Sequence, residues 1–366
     1  MRLKTALVWT LVCAGSIAAW PRAASAQGGL SPETRTALLA SLDRGAAYLA
    51  SQEKPDGTWE NHPGITALAA TALLRQTGRT PAAQHARVAK ALAYLKGLQK
   101  PDGGIYVRDL PHYITSVAAM AFVASEQAEY KPVIDKARAF LVEQVIDEGE
   151  GYTPKDKFYG GVGYGSDLRP DLANVEYALR ALKETGLAKD HAAWEKAIKF
   201  LQRTQNLTET NDQPGVLNDG GFMYYPGFTY AQGGGTRSYG SMTYAGLLSY
   251  SYANLTRDDE RVKAALKWIR ENYTVEENPG MGKTTLYYYY MVFAKALQTF
   301  GEDVIVDGQG RRHNWREDLA KKLLAVQHGE GFWVNEDPQY WQDNKVLVTA
   351  FTMMAIEYLL QPGATS

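Results

Sequence analysis

Six helices with almost no charge, each entered from a turn rich in glycine and aromatic residues, limit what this chain can fold into. The last is the clearest. From Val346 to Ile356 the sequence reads VLVTAFTMMAI, apolar or small on every face, which suits a helix covered on all sides. Ahead of it a charged amphipathic segment ends at Gln327, and a turn carries Gly331 and Trp333. The unit is therefore an outer helix, a turn, and an inner helix that needs neighbours. Five further stretches repeat it. Gln52, Gly57 and Trp59 precede an uncharged run from Ile65 to Leu74, and Gln99, Gly103 and Tyr106 take the same roles before the next. The third unit ends its outer helix near Val145 and enters its inner helix at Pro170. The fourth carries FLQRTQ (Phe200 to Gln205), a loop with DGGF (Asp219 to Phe222), and an inner helix from Ser238. The fifth runs from Asp258 to about Tyr273, then from Lys283 to Phe300. Inner helices are expected to begin near 63, 112, 170, 238, 283 and 344, with spacings of 45 to 68 residues. Helix pairs recurring at this period define a repeat architecture. Six uncharged second helices favour closure into a ring, because an open solenoid leaves one inner face in water. The expected fold is all-α, an α6/α6 toroid.

The combination of aromatic-Leu-x3-Gln with Gly-x-Trp ahead of an apolar helix resembles the QW repeat of squalene cyclases and the related repeat of protein prenyltransferase β subunits. Gln327, Gly331 and Trp333 match the Q-x3-G-x-W spacing without adjustment, and Gln52, Gly57 and Trp59 match it with one extra residue. The resemblance spans nearly all of residues 27–366 and implies a toroid around a central cavity. It does not carry the family's reactions with it. In class II terpene cyclases this kind of helix start holds D-x-D-D, whose middle Asp protonates an alkene or epoxide. That acid must stay neutral in an apolar cavity. Here the stretch is Asp171-Leu172-Ala173-Asn174, so Ala173 stands where the acid is expected. The zinc site of the prenyltransferases and the reactive bond of thioester domains both need Cys, and the only one in this chain is Cys13. No D-D-x-x-D occurs; Asp258-Asp259-Glu260 opens an outer helix. Asp171 stays as the catalytic candidate, with an N-cap or a partner for Arg169 as its alternative role.

Residues 1–26 read as a signal peptide. Arg2 and Lys4 give a positive start, Ala6 to Ala19 an apolar core, and Ala24-Ser25-Ala26 a small-residue cleavage site. Trp20-Pro21-Arg22 stops the apolar run short of the ~20 residues a membrane span requires. The remainder, 27–366, is expected to form one toroid domain, secreted or periplasmic and without a membrane span. Cleavage would remove Arg2, Lys4 and Arg22, taking the formal charge from −1 to −4, and with them Cys13. A mildly acidic surface without basic clusters gives no electrostatic basis for binding nucleic acid. His62 and His112 lie 50 residues apart with no H-x-x-x-H spacing, so neither a metal nor another cofactor is expected.

His62 and His112 each precede an inner helix, either as polar groups at the cavity mouth or as turn histidines bonded to backbone. Two long insertions follow. Glu148 to Arg169 carries six glycines with Tyr152, Phe158, Tyr159 and Tyr164, and reads as a lid or a packed surface loop. Asn206 to Arg237 carries Phe222, Tyr224, Tyr225, Phe228 and Tyr230, aromatics suited to stacking on sugars or lining an isoprenoid channel. With 23 Tyr against 10 Phe, the lining should bear hydroxyls. In the run Tyr287 to Tyr290, successive residues turn by ~100°, so two at most share the cavity face. The candidate ligand-binding set is His62, His112, Tyr164, Arg169, Asn174, Tyr239, Tyr287 and Asn344. His62, His112, Asp171, Tyr239, Lys283 and Asn344 are expected to ring one mouth. The ligand is a small molecule of isoprenoid or glycan type. A glycan lyase or hydrolase would draw on Arg169, Asp171, Arg237 or Asp343; a non-catalytic binding scaffold is the third reading.

Overall fold

The computed structural model describes residues 28–165 and 169–361, so the expected signal peptide at 1–26 lies outside the described residues. Outer and inner helices alternate along the chain. The outer set is α1 (Pro32–Gln52), α3 (Pro81–Gly97), α5 (Lys131–Glu143), α7 (Ala192–Thr204), α9 (Glu260–Glu271) and α11 (Trp315–Ala325). The inner set is α2 (Pro63–Leu74), α4 (Pro111–Ala124), α6 (Leu172–Glu184), α8 (Gly240–Tyr252), α10 (Leu286–Thr299) and α12 (Lys345–Leu360). Each inner helix packs on the next, and α12 returns to α2, which closes the ring. Observed inner starts fall within three residues of those read from the sequence. Every residue of α2 is buried, and every residue of α12 after Lys345, as apolar helices surrounded by neighbours should be; the one charged residue among them, Glu357, accepts from the Thr77 backbone N–H (2.8 Å).

The Gln/Gly/aromatic turns hold neighbouring hairpins together. Gln327, just past α11, donates its amide to the carbonyls of Gly331 (2.9 Å) and Ser41 (3.0 Å), and accepts from the Ser41 hydroxyl (2.9 Å) and from Arg44. Gln99 donates to Gly103 (3.1 Å) and Val133 (2.9 Å), and Gln205 to Gly220 (2.9 Å) and Arg261 (2.8 Å). Each glutamine thus ties the end of one outer helix to the next outer helix: α3 to α5, α7 to α9, α11 to α1. Gln52 departs from the pattern. It is exposed and donates its amide to the adjacent Ser51 hydroxyl (3.1 Å), with one extra residue separating it from Gly57.

Gly331 explains the glycine of the motif. Its φ is +95°, and a Cβ there would lie 2.5 Å from the Arg44 carbonyl oxygen of α1. Two residues on, the Trp333 backbone N–H donates to the Thr349 hydroxyl (3.1 Å) and its indole to the Leu323 carbonyl (2.9 Å). Trp59 does the same with Thr66 (3.0 Å) and Leu49 (2.7 Å). Ile105 and Phe222 occupy the equivalent place, donating backbone N–H to Thr115 (2.8 Å) and Thr243 (3.1 Å). The tryptophan position of the second unit is therefore Ile105, two residues past Gly103. Tyr106, the residue expected there, is one further along and only half-buried.

The inner ring is not uncharged throughout. At the C-terminal ends of its helices Arg75, Arg180, Glu184, Lys295 and Tyr358 meet. Glu184 takes Arg75 (2.8 Å), Arg180 (3.0 Å) and Lys295 (3.1 Å), and the Tyr358 hydroxyl accepts from Arg180 (2.7 Å) and Arg75 (3.0 Å). Burial opposes ionisation of Glu184, but the three cations hold its pKa well below the ordinary carboxylate range. Cations at helix C-termini also complement the helix dipoles. This polar layer closes one end of the ring and leaves the N-terminal end as the place for a cavity.

Candidate functional site

The N-terminal ends of all six inner helices line a single cavity of about 380 Å³, so the inner helices run in one direction around it. Ile65 of α2, Tyr113 of α4, Ala173 and Tyr177 of α6, Met242 of α8, Tyr288 of α10, and Leu347 and Phe351 of α12 form its walls. Loops complete it. Tyr164 comes from the first insertion and Tyr224 and Tyr230 from the second, while Tyr340, Trp341 and Gln342 come from the connection into α12. Tyr230 packs on Tyr224 (ring centroids 4.8 Å apart) and on Tyr340 (5.9 Å), and Trp341 meets His62 edge-on at 5.5 Å. An aromatic arch therefore spans the mouth from the second insertion to α2. Tyr340 and Trp341 are both about half exposed, and both hold positive φ (56° and 63°).

The helix ends around the mouth are largely satisfied from within. His62 caps α2, its Nδ1 accepting from the Gly64 and Ile65 amides (3.1 and 3.3 Å). That leaves Nε2 as the protonated nitrogen of the neutral ring, and burial lowers the histidine's pKa. Asp171 caps α6 through the Asn174 amide (2.9 Å), and Asn344 caps α12 through Leu347 (2.9 Å). The side-chain amides of Asn278 and Gln342 accept from Ser241 in α8 (2.8 Å) and Tyr287 in α10 (3.1 Å). Such capping removes much of the positive potential that bare helix N-termini would offer an anion.

Asp171 lies immediately behind the wall. It is fully buried, bonded to Asn174 (Nδ2 at 2.8 Å), and burial raises its pKa to about 6 despite stabilisation by Asn174, Tyr224 and Arg169. Burial also pushes the Tyr164 phenol up to about 12. Position 173, where the alignment with D-x-D-D puts the acid, faces the cavity and presents a methyl group.

Of the nine residues singled out from the sequence, His62, Tyr164 and Tyr239 line the cavity. Asp171 and Asn174 stand behind it as cap and partner. The other four lie off the wall. His112 bonds through Nδ1 to the Gly163 carbonyl (2.9 Å) and so fastens the first insertion to α4. Arg169 lies over the Tyr225 ring at 5.5 Å. Asn344 is occupied as a cap. Within the tyrosine run only Tyr288 faces the cavity. Tyr287 packs edge-on against Tyr290, and the Tyr289 and Tyr290 hydroxyls donate to the Thr274 and Val275 carbonyls (2.7 and 2.8 Å). Tyr340 and Trp341 were not distinguished by sequence reasoning, since PQYWQ has no helical periodicity to orient its rings. Among the described residues no group of His, Cys, Asp and Glu could hold a metal ion, and no helix is long and apolar enough to cross a membrane.

Comparison with known proteins defines the class of fold. A sequence model of the squalene-hopene cyclase C-terminal domain matches residues 65–232. No curated protein matches the chain in sequence. Among solved structures it is similar to the type II terpene cyclase MstE from Scytonema in complex with geranylgeranyl dihydroxybenzoate, at 14% identity and a TM-score of 0.58 over 90% of this chain and 99% of that one. A protein from Actinoplanes matches at 14% identity and a TM-score of 0.55, over 88% of this chain and 100% of that one. A glycosidase in complex with glucose matches at 10% identity and a TM-score of 0.53, over 91% and 100%. The chain has the α/α toroid fold of class II terpene cyclases.

Proposed function

We propose that this chain is an exported toroid protein that binds an isoprenoid-class ligand in the cavity, without initiating its cyclisation by protonation. One observation carries the reading: the cavity wall is mostly aromatic and aliphatic, its polar residues being the tyrosines, Ser241, Thr285, His62 and Gln342, none of them charged side chains of Asp, Glu, Lys or Arg. A pocket of a few hundred Å³ with few polar groups suits a small, largely apolar molecule. The fold shared with MstE, whose structure holds a geranylgeranyl-bearing substrate, supports the same class. Ala173 argues against acid-initiated chemistry, and Asp171 is turned to its own helix. A glycosidase needs two carboxyl groups flanking its substrate, and no Asp or Glu lines the cavity among the described residues. Residues 1–26 support export.

Calorimetric titration with farnesol and with maltohexaose, paired with gas-chromatographic product analysis, tests the proposal. Micromolar binding of farnesol, none of maltohexaose, and farnesol recovered unchanged are expected. Binding of the oligosaccharide alone, or a cyclic product, overturns it.

A further inference from the structure

Resting on that reading, we infer that Gln342, with Thr285 and His62, holds the oxygen end of the ligand at the cavity mouth, so that the ligand is an isoprenoid carbonyl compound lying tail-inward. Gln342 lines the cavity and is only 2% exposed. Its Oε1 accepts from the Tyr287 backbone N–H (3.1 Å) and from Asn335 Nδ2 (3.2 Å). Two N–H donors on one oxygen fix which end of the amide is the carbonyl, and so place Nε2 on the other side. That nitrogen has no partner among the described residues and is not sealed from solvent. Asn278 and Asn335 beside it differ, with both ends of the amide engaged. A buried amide nitrogen without a partner costs free energy unless an acceptor in the cavity completes its bonding.

Helix capping sets the polarity of the mouth. His62 spends Nδ1 on the first amides of α2 and keeps an open Nε2–H, and Gln342 spends Oε1 on α10 and keeps an open amide nitrogen. Trp341, next to Gln342 in sequence, meets the His62 ring at 5.5 Å and so joins the two. Thr285, half-buried at the start of α10, accepts from Asn278 Nδ2 (3.0 Å) and has its own proton left to give. Its φ of 55° is costly for a β-branched residue, as backbone at binding sites often is. All three therefore face the cavity as donors. No Lys or Arg lines the wall to neutralise an anion, and an unpaired buried charge is far more costly than a neutral oxygen. A carbonyl, which only accepts, matches such donors without a proton of its own to place. Farther in, the Tyr177 and Tyr288 hydroxyls are sealed from the cavity, so those residues present ring carbons to an apolar tail.

The test titrates wild type and Gln342→Glu with farnesal, farnesol and farnesene by calorimetry. Glutamate keeps one oxygen for the Tyr287 amide, so α10 stays capped, but puts an acceptor where the donor was. On wild type, farnesal should bind about fivefold or more tighter than farnesene, with farnesol between them. In the variant farnesal should lose that advantage, while farnesene stays within about twofold of wild type. His62→Asn keeps an N-cap acceptor for α2 and draws the donor back from the cavity. It should weaken farnesal about threefold with farnesene again within about twofold, and it decides the matter if the glutamate variant does not fold. Equal affinity for all three ligands on wild type overturns the inference and leaves the apolar cavity standing. Farnesene weakened in step with farnesal makes these side chains supports of the fold alone, which also overturns it. Tighter binding of farnesol than of farnesal overturns the carbonyl assignment. Failure to bind any of the three overturns the cavity reading, and the inference with it.

Discussion

Trp333→Ala separates what the toroid needs for stability from what its cavity needs for binding. The indole is completely buried at the α11–α12 junction, its N–H bonded to the Leu323 carbonyl at 2.9 Å, and it does not line the cavity. Removing an aromatic side chain of about 200 Å² forfeits burial worth roughly 5 kcal/mol at 25 cal/mol/Å². Partial collapse around the site recovers some of this, so a loss of about 3–5 kcal/mol is expected. With an unfolding entropy near 2.1 cal/mol/K per residue, a domain of roughly 330 residues loses about 1 °C for every 0.7 kcal/mol. The variant should therefore melt about 4–7 °C lower by calorimetry. Its affinity for farnesol should stay within twofold of wild type. A variant that melts like wild type but no longer binds would refute this division and make the turn aromatics part of the site.

The buried carboxyl of Asp171 makes a prediction about pH. Its pKa, raised to about 6, means the folded protein holds that proton more tightly than the unfolded chain, so its contribution to stability is full in acid and is lost as pH rises through about 6. Asp171→Asn keeps an N-cap acceptor but cannot ionise; relative to its value near pH 4, its stability against wild type should improve by about 1–3 kcal/mol at pH 7.5. Urea melts of both proteins at the two pH values check this, and a difference independent of pH contradicts it. Glu184→Gln should cost about 3–5 kcal/mol, because it leaves Arg75, Arg180 and Lys295 facing one another without their shared anion. Chemical denaturation measures it, and a change under 1 kcal/mol would mean that water or another group neutralises the layer.

Much of the scaffold was legible because it follows from local pattern. Uncharged runs such as Val346–Ile356 have no stable place except inside other helices, and Gln327, Gly331 and Trp333 each answer a stereochemical demand at one junction. The glutamines do so by reaching the next outer helix, a partner that sequence order does not reveal. The site was less legible. Helical periodicity limits how many of Tyr287 to Tyr290 share a face, but the choice of Tyr288 depends on how α10 is rotated against α8 and α12. The arch of Tyr230, Tyr340 and Trp341 joins segments about a hundred residues apart in loops without periodicity. The charged layer was hidden too: Arg180 and Glu184 make α6 look amphipathic, and only ring closure brings Arg75, Lys295 and Tyr358 to them.

Photoaffinity labelling with a diazirine analogue of farnesol, followed by peptide mapping, tests the cavity most directly. Labelling is expected on peptides carrying Tyr224 to Tyr230 and Tyr340 to Gln342, with protection by unmodified farnesol, because these segments close the cavity over its ligand. Labelling confined to the outer helices, or unaffected by farnesol, would contradict the cavity as the binding site.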